Sequence, residues 1–167
     1  MNVNQKVLFI ITKIISGGQT GADRAALDFA IKHNIPYGGW LPKGRQAEDG
    51  KLPKRYQLQE MPTPEYSKRT EQNVLDSDGT MIVSHGYLTG GSSLTEFLAE
   101  KHEKACIQID LSNITMGKAS VIINKWIQRH KIAILNVAGP RGSKDPKIYK
   151  ATMDLLETTF TQNKANQ

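Results

Sequence analysis

The feature that most constrains this chain is an alternation along its length: short apolar, β-branched runs are followed by amphipathic helical runs. That pattern predicts parallel strands joined by crossover helices. Strands are expected at 13–16, 37–39, 80–84, 106–110 and 132–138, and helices at 22–33, 65–76, 92–104, 117–129 and 148–160. Helix 22–33 puts Ala22, Ala25, Ala26, Phe29 and Ala30 on one face. Leu94, Phe97 and Leu98 are expected inward on the third helix, and Ala119, Ile122, Ile123 and Trp126 on the fourth. The predicted fold class is therefore α/β, a Rossmann-like three-layer sandwich with a mainly parallel sheet. A chain of 167 residues reads as one domain over 12–160, with an extension at 1–11 and a polar, disordered tail at 161–167. Residues 41–64, rich in Pro, Gly, Lys and Glu, read as a loop long enough to suggest function.

Composition narrows the function classes. The net charge of +6 favours an anionic partner, a small phosphate or a nucleic acid, although the lysines are scattered and a plain basic surface also fits. The single cysteine, Cys106, excludes an intrachain disulfide and reads as a buried strand residue, which fits a reducing, cytoplasmic setting. No run of eighteen apolar residues is present, so neither a span nor a membrane partner is expected. Residues 7–11 are apolar but short, with no cleavage site, and are not read as a signal peptide. The four histidines, His33, His85, His102 and His130, have no zinc spacing, so no protein-ligated metal is expected. Of these, only His85 falls near one of the glycine-bearing loops.

Three glycine-bearing loops follow three of the strands. The first, Gly17-Gly18-Gln19-Thr20-Gly21-Ala22-Asp23, opens a helix whose free amides and positive dipole end suit an anion, with Thr20 adding a hydroxyl donor. A plain strand-to-helix turn would not need three glycines in five residues. The second, Gly90-Gly91-Ser92-Ser93-Leu94-Thr95-Glu96, suits a phosphate or sugar contact. Its serines and Glu96 also fit an N-cap with a capping box of Ser93 and Glu96. The third runs from Gly139 through Arg141 and Ser143 to Asp145 and Pro146. Arg141 can grip phosphate with two bonds and Ser143 can donate another. The same residues equally fit a surface turn with Asp145 as N-cap and Pro146 at the first helical position. Tyr66, Arg69, Thr70 and Asn73 share one helix face, a polar stripe where a sheet-packed helix should be apolar. That stripe reads as the lining of a polar cleft, or as an exposed face.

Together these loops resemble the superfamily of the LOG phosphoribohydrolases, the YpsA proteins and the DprA proteins, in an unusual order. Residues 137–149, with Gly139-Pro140-Arg141-Gly142-Ser143, resemble the first strand and loop of LOG proteins but come last here. Residues 15–21, with Gly17-Gly18-Gln19-Thr20-Gly21, resemble the second strand and loop but come first. Gly39-Trp40-Leu41-Pro42 resembles the next strand end, and Arg69 matches the arginine ahead of the LOG catalytic loop. The order is a circular permutation relative to LOG proteins, and the chain is identified as a member of the circularly permuted YpsA group over about 12–160.

The resemblance implies a binder or carrier of a nucleotide-like phosphorylated molecule, with the molybdenum cofactor (molybdopterin) or a nucleotide as ligand, and a homodimer. The cofactor-binding set it implies, with the loop readings, is Gly17, Gly18, Gln19, Thr20, Gly21, Asp23, Tyr66, Arg69, Asn73, Gly90, Gly91, Ser92, Thr95, Gly139, Arg141 and Ser143. An alternative is N-glycosidic hydrolysis of a nucleoside monophosphate by Glu96, Asp23 and Arg69. The LOG pattern G-G-x-G-T-x-x-E is incomplete here: its internal glycine is missing, and Thr95 and Glu96 are each displaced by one position. Single-stranded nucleic-acid binding is a further alternative, and the scarcity of aromatics weighs against it.

Overall fold

The structure, a computed structural model, describes residues 10–161. Most of the expected extension (1–11) and tail (161–167) lies outside the described residues. In chain order the elements are β1 (Lys13–Ile15), α1 (Ala22–Lys32), β2 (Tyr37–Gly38), β3 (Trp40–Leu41), β4 (Gln46–Ala47), β5 (Gly50–Lys51), β6 (Gln59–Glu60), α2 (Tyr66–Leu75), β7 (Gly79–Ser84), α3 (Gly90–Lys101), β8 (Ala105–Asp110), α4 (Met116–His130), β9 (Ile134–Ala138) and α5 (Ile148–Phe160). The central sheet has the order β2-β1-β9-β7-β8, and every neighbouring pair is parallel. β9, the last strand in the chain, is thus inserted between β1 and β7.

Pleating divides the sheet residues between two layers of helix. Ile14, Met81, Val83, Ile109, Leu135 and Val137 pack with Ala22, Phe29, Ile123 and Leu155 into the main core, beneath α1, α4 and α5. Each large side chain buried there contributes roughly 1.5–3 kcal/mol. The opposite face carries a register row of Ile15, Asn136, Thr80 and Cys106. Its apolar cover is thin: Val74, Leu98 and Ala99, with Leu94 and Cys106 half-buried against them. Asn136 donates to the Thr80 hydroxyl at 3.1 Å, a buried polar pair in mid-sheet. This second face, beneath α2 and α3, is where the fold leaves room for a cleft.

Several expectations are corrected. Residues 41–64 are not one structureless loop: β3 pairs with β6 and β4 with β5. Leu41, Leu52, Tyr56 and Leu58 form a separate small core against Leu27 of α1. Two-residue strands are too short to show periodicity. The Arg45 guanidinium holds the segment by donating to the carbonyls of Leu52, Pro53, Tyr56 and Leu58. The third helix begins at Gly90 with Thr89 as N-cap, so Gly90 and Gly91 form its first turn and no Ser93–Glu96 capping box caps it. Asp145 does not cap α5; its Oδ1 accepts from the Lys147 amide at 3.0 Å, and the helix starts at Ile148 with Lys147 as N-cap. Phe97 and Ile122 face outward rather than into the core, and Cys106, on edge strand β8, is half-buried rather than buried. The five apolar residues expected inward on α1 are all buried.

Candidate functional site

β1, β7 and β9 are adjacent or one strand apart, so their carboxyl-terminal loops meet. β1 leads outward to β2 on one side and β7 to β8 on the other, and the reversal lies at β9. A parallel sheet opens a crevice at such a switch point. The Ser16 hydroxyl fastens the first loop to β9 by donating to the Val137 carbonyl at 2.6 Å. Helices α1, α3 and α5 begin at this edge of the sheet, and the residue before each makes no side-chain capping bond among the described residues; the first amide of α1, Ala22, donates to the Pro140 carbonyl. In contrast, α4, which follows edge strand β8, is capped by the Thr115 hydroxyl. The three loops and the polar stripe of α2 enclose a cleft of about 430 Å³, a size suited to a nucleotide-sized ligand.

The cleft wall is built around Arg69 and Asp23, only 7% and 8% exposed. Arg69 Nη1 donates to the Gly17 carbonyl at 2.7 Å and pairs with Asp23 Oδ2 at 3.3 Å. A Cβ at position 17 would lie 1.7 Å from Nη1, so any larger residue there would push the Arg69 guanidinium out of this position. Burial pushes the Asp23 carboxyl above its usual range, with the Arg69 charge and the Gln19 amide pulling against that rise. Arg69 Nε is buried without a hydrogen-bond partner among the described residues. Beside it, the guanidinium lies 5.5 Å from the centre of the Tyr66 ring.

The expected residues sort into groups. Gly17, Gln19, Asp23, Tyr66, Arg69, Asn73, Gly91, Ser92, Thr95, Gly139 and Arg141 all line the cleft. Of these, Asn73 also works structurally: it accepts from the Trp40 amide at 2.8 Å and donates to the Trp40 carbonyl at 3.2 Å, pinning β3 to α2. Thr95 bonds back to the Gly91 carbonyl at 2.8 Å. Gly18 packs under Leu41 and Leu52, and Gly21 under the Pro140 carbonyl, so both serve loop packing outside the cleft lining.

Thr20 and Ser143 also fall outside the lining, and their hydroxyls are engaged by Glu48. Ser143 donates to the Glu48 carboxylate through its hydroxyl at 2.5 Å and its amide at 3.0 Å. Gln19 Oε1 accepts from the amides of Thr20 and Glu48. Burial alone would raise the Glu48 carboxyl, but the bonds from Ser143 and Thr20 outweigh it and hold it below the usual value.

Glu96 is the one candidate catalytic residue that the fold does not bring to the others. It is exposed and outside the lining, because one step along α3 turns it about 100° from Thr95. Its charge instead acts on Cys106, whose thiol is raised to about 11, first by burial and then by Glu96.

Sequence reasoning missed Lys144, Tyr87 and the partner of His85, all at the cleft. Lys144 Nζ lies 2.6 Å from where a Gly90 Cβ would sit, beside the uncapped start of α3, and makes no ion pair with any described residue. His85 Nδ1 pairs with Asp145 Oδ2 at 2.6 Å across loops 60 residues apart. The only signal for these residues was position in a loop after a strand. Both cleft acids are paired, Asp23 with Arg69 and Asp145 with His85, while Lys144 pairs with no described residue and Arg141 meets Glu48 only at 3.9 Å. Among the described residues no cluster of His, Cys, Asp or Glu could hold a metal ion, and no helix is long and apolar enough to cross a membrane.

A parallel sheet flanked by two helical layers, with a basic-lined cleft at its carboxyl edge, defines a Rossmann-like α/β protein. The sequence model of the circularly permutated YpsA SLOG family matches residues 14–160. The chain belongs to that family. It is similar to a crystallised protein from Syntrophus aciditrophicus SB, named "Putative molybdenum carrier protein", at 69% identity and a TM-score of 0.89. That likeness covers 90% of this chain and 95% of the other. No curated protein sequence matches the chain.

Proposed function

We propose that the cleft binds a phosphate-bearing, nucleotide-like small molecule and that the protein acts as its carrier. The observation that carries this reading is Arg69: a nine-tenths buried guanidinium on the cleft wall, bonded to described residues only through Nη1, whose Nη2 donates to none of them. A buried cation so incompletely paired is costly unless a ligand completes its partners. Arg141, Lys144 and the first turn of α3 supply further donors for an anion at the same cleft. The name of the Syntrophus relative supports the molybdenum cofactor as cargo, since that cofactor carries a phosphate on a fused heterocycle. The position of Glu96 outside the cleft counts against the hydrolytic alternative as it was drawn from sequence.

Calorimetric titration with AMP, GMP and the isolated molybdenum cofactor tests the reading, alongside mass spectrometry of ligand co-purifying with the protein. Saturable binding that Arg69→Ala weakens tenfold or more is expected. Failure of every phosphorylated ligand to bind at millimolar concentration overturns it.

A further inference from the structure

Tyr87 stands at the lip of the cleft, in the loop between β7 and α3, and is 97% exposed. Its side chain makes no hydrogen bond, ring contact or ion pair with any described residue. An aromatic ring held wholly in water gains nothing for the fold, and this one is the most exposed large apolar side chain among the described residues. Tyr66, half-exposed on α2, lines the same cleft from a different element, with the Arg69 guanidinium behind its ring. The basic groups Lys144 and Arg141 come from the loop after β9. The cleft therefore has aromatic contributors on two elements, and two of its cationic groups on a third.

We infer that Tyr87 and Tyr66 are the ring-binding residues of this site, stacking on the planar heterocycle of a ligand whose phosphate is held by the basic groups. The ligand class is thereby an aromatic-heterocycle phosphate, a nucleotide or a pterin phosphate, rather than a sugar phosphate or a free anion. The inference rests on the phosphate-binding reading above and deepens it. Stacking on tyrosine tolerates any flat heterocycle, because every such ring has a π-face. Tyr87, bonded to no described residue, can settle onto the ring on binding.

The test is calorimetric titration of the full chain with ribose 5-phosphate, AMP, GMP and a pterin monophosphate, for the wild type and for Tyr87→Ala, Tyr87→Phe, Tyr66→Ala and Tyr66→Phe. At least one ring-bearing ligand is expected to bind about 5- to 100-fold more tightly than ribose 5-phosphate. Either alanine variant should lose most of that advantage, read as the ratio of ring-bearing ligand affinity to ribose 5-phosphate affinity within the same variant, and the phenylalanine variants should retain it. The arm with the larger tyrosine-dependent advantage distinguishes a nucleobase from a pterin. Equal affinity for ribose 5-phosphate and every ring-bearing ligand overturns the inference but leaves the phosphate reading standing, as does an advantage that survives in both alanine variants. Absence of binding by all four ligands overturns both. Melting curves of the variants, expected to match the wild type for exposed Tyr87, exclude misfolding as the cause.

Discussion

The Glu48 carboxylate accepts from both the amide and the hydroxyl of Ser143, a residue 95 positions further along the chain. Through Thr20, the same carboxylate also holds the first glycine loop. The donors that looked like an anion site in the sequence are thus closed by an internal anion. Their role here is to fix two loops against each other and against the β4–β5 hairpin.

Glu48→Gln is expected to lower the melting temperature at pH 7 by about 2–4 °C. The carboxyl is held below its usual value of 4.5, so its contribution is present above that value and is lost as pH falls through the folded value. Melts at pH 7, 5 and 3.5 check this: the gap between variant and wild type should close at the acid end.

Arg69→Met leaves Asp23 buried without its cation, and should cost about 3 kcal/mol at pH 7. Asp23 already titrates above its usual 3.8 because of burial. A raised folded value favours the fold at low pH and penalises it as pH rises, so the variant should recover towards wild type on acidification. Urea denaturation between pH 4 and 8 measures this, and adding Asp23→Asn should restore much of the loss at pH 7. Stability of Arg69→Met that is flat with pH would show that Asp23 is not the buried charge.

Asn73→Ala removes the acceptor of the Trp40 amide and the donor to its carbonyl. The expected cost is about 2 kcal/mol, with hydrogen exchange at Trp40 accelerated. A purely ligand-binding Asn73 would show the reverse: lost affinity with unchanged exchange.

Cys106, with its thiol raised from 9.0 to about 11, should alkylate slowly with iodoacetamide at pH 8, holding roughly one-hundredth the thiolate of an ordinary cysteine. Glu96→Gln should speed that reaction modestly and leave affinity for AMP unchanged. Mass spectrometry follows the alkylation; a fall in AMP affinity would return Glu96 to the site.

Much of the architecture was legible because it is periodic. The apolar face of α1 and the alternation of strand and helix are local, repeated signals, and the glycine loops mark where strands hand over to helices. The segment 41–64 was not legible, because Leu41, Leu52, Tyr56 and Leu58 meet only in three dimensions. Phe97 and Ile122 were misplaced because helical spacing identifies a face without saying how much of it a neighbour covers.

By itself, the sequence determined the layered α/β class and the glycine loops, which are properties of local spacing, and the resemblance of those loops to the LOG pattern implied the permuted order. Only the tertiary structure decided which donors face the cleft. Thr20 and Ser143 turn to Glu48, Glu96 turns outward, and Arg69 is carried beside Gly17 from 52 residues away. The reason is that a side chain's partner is set by which elements the fold brings together, and hydrogen bonds and charges act only over that final distance.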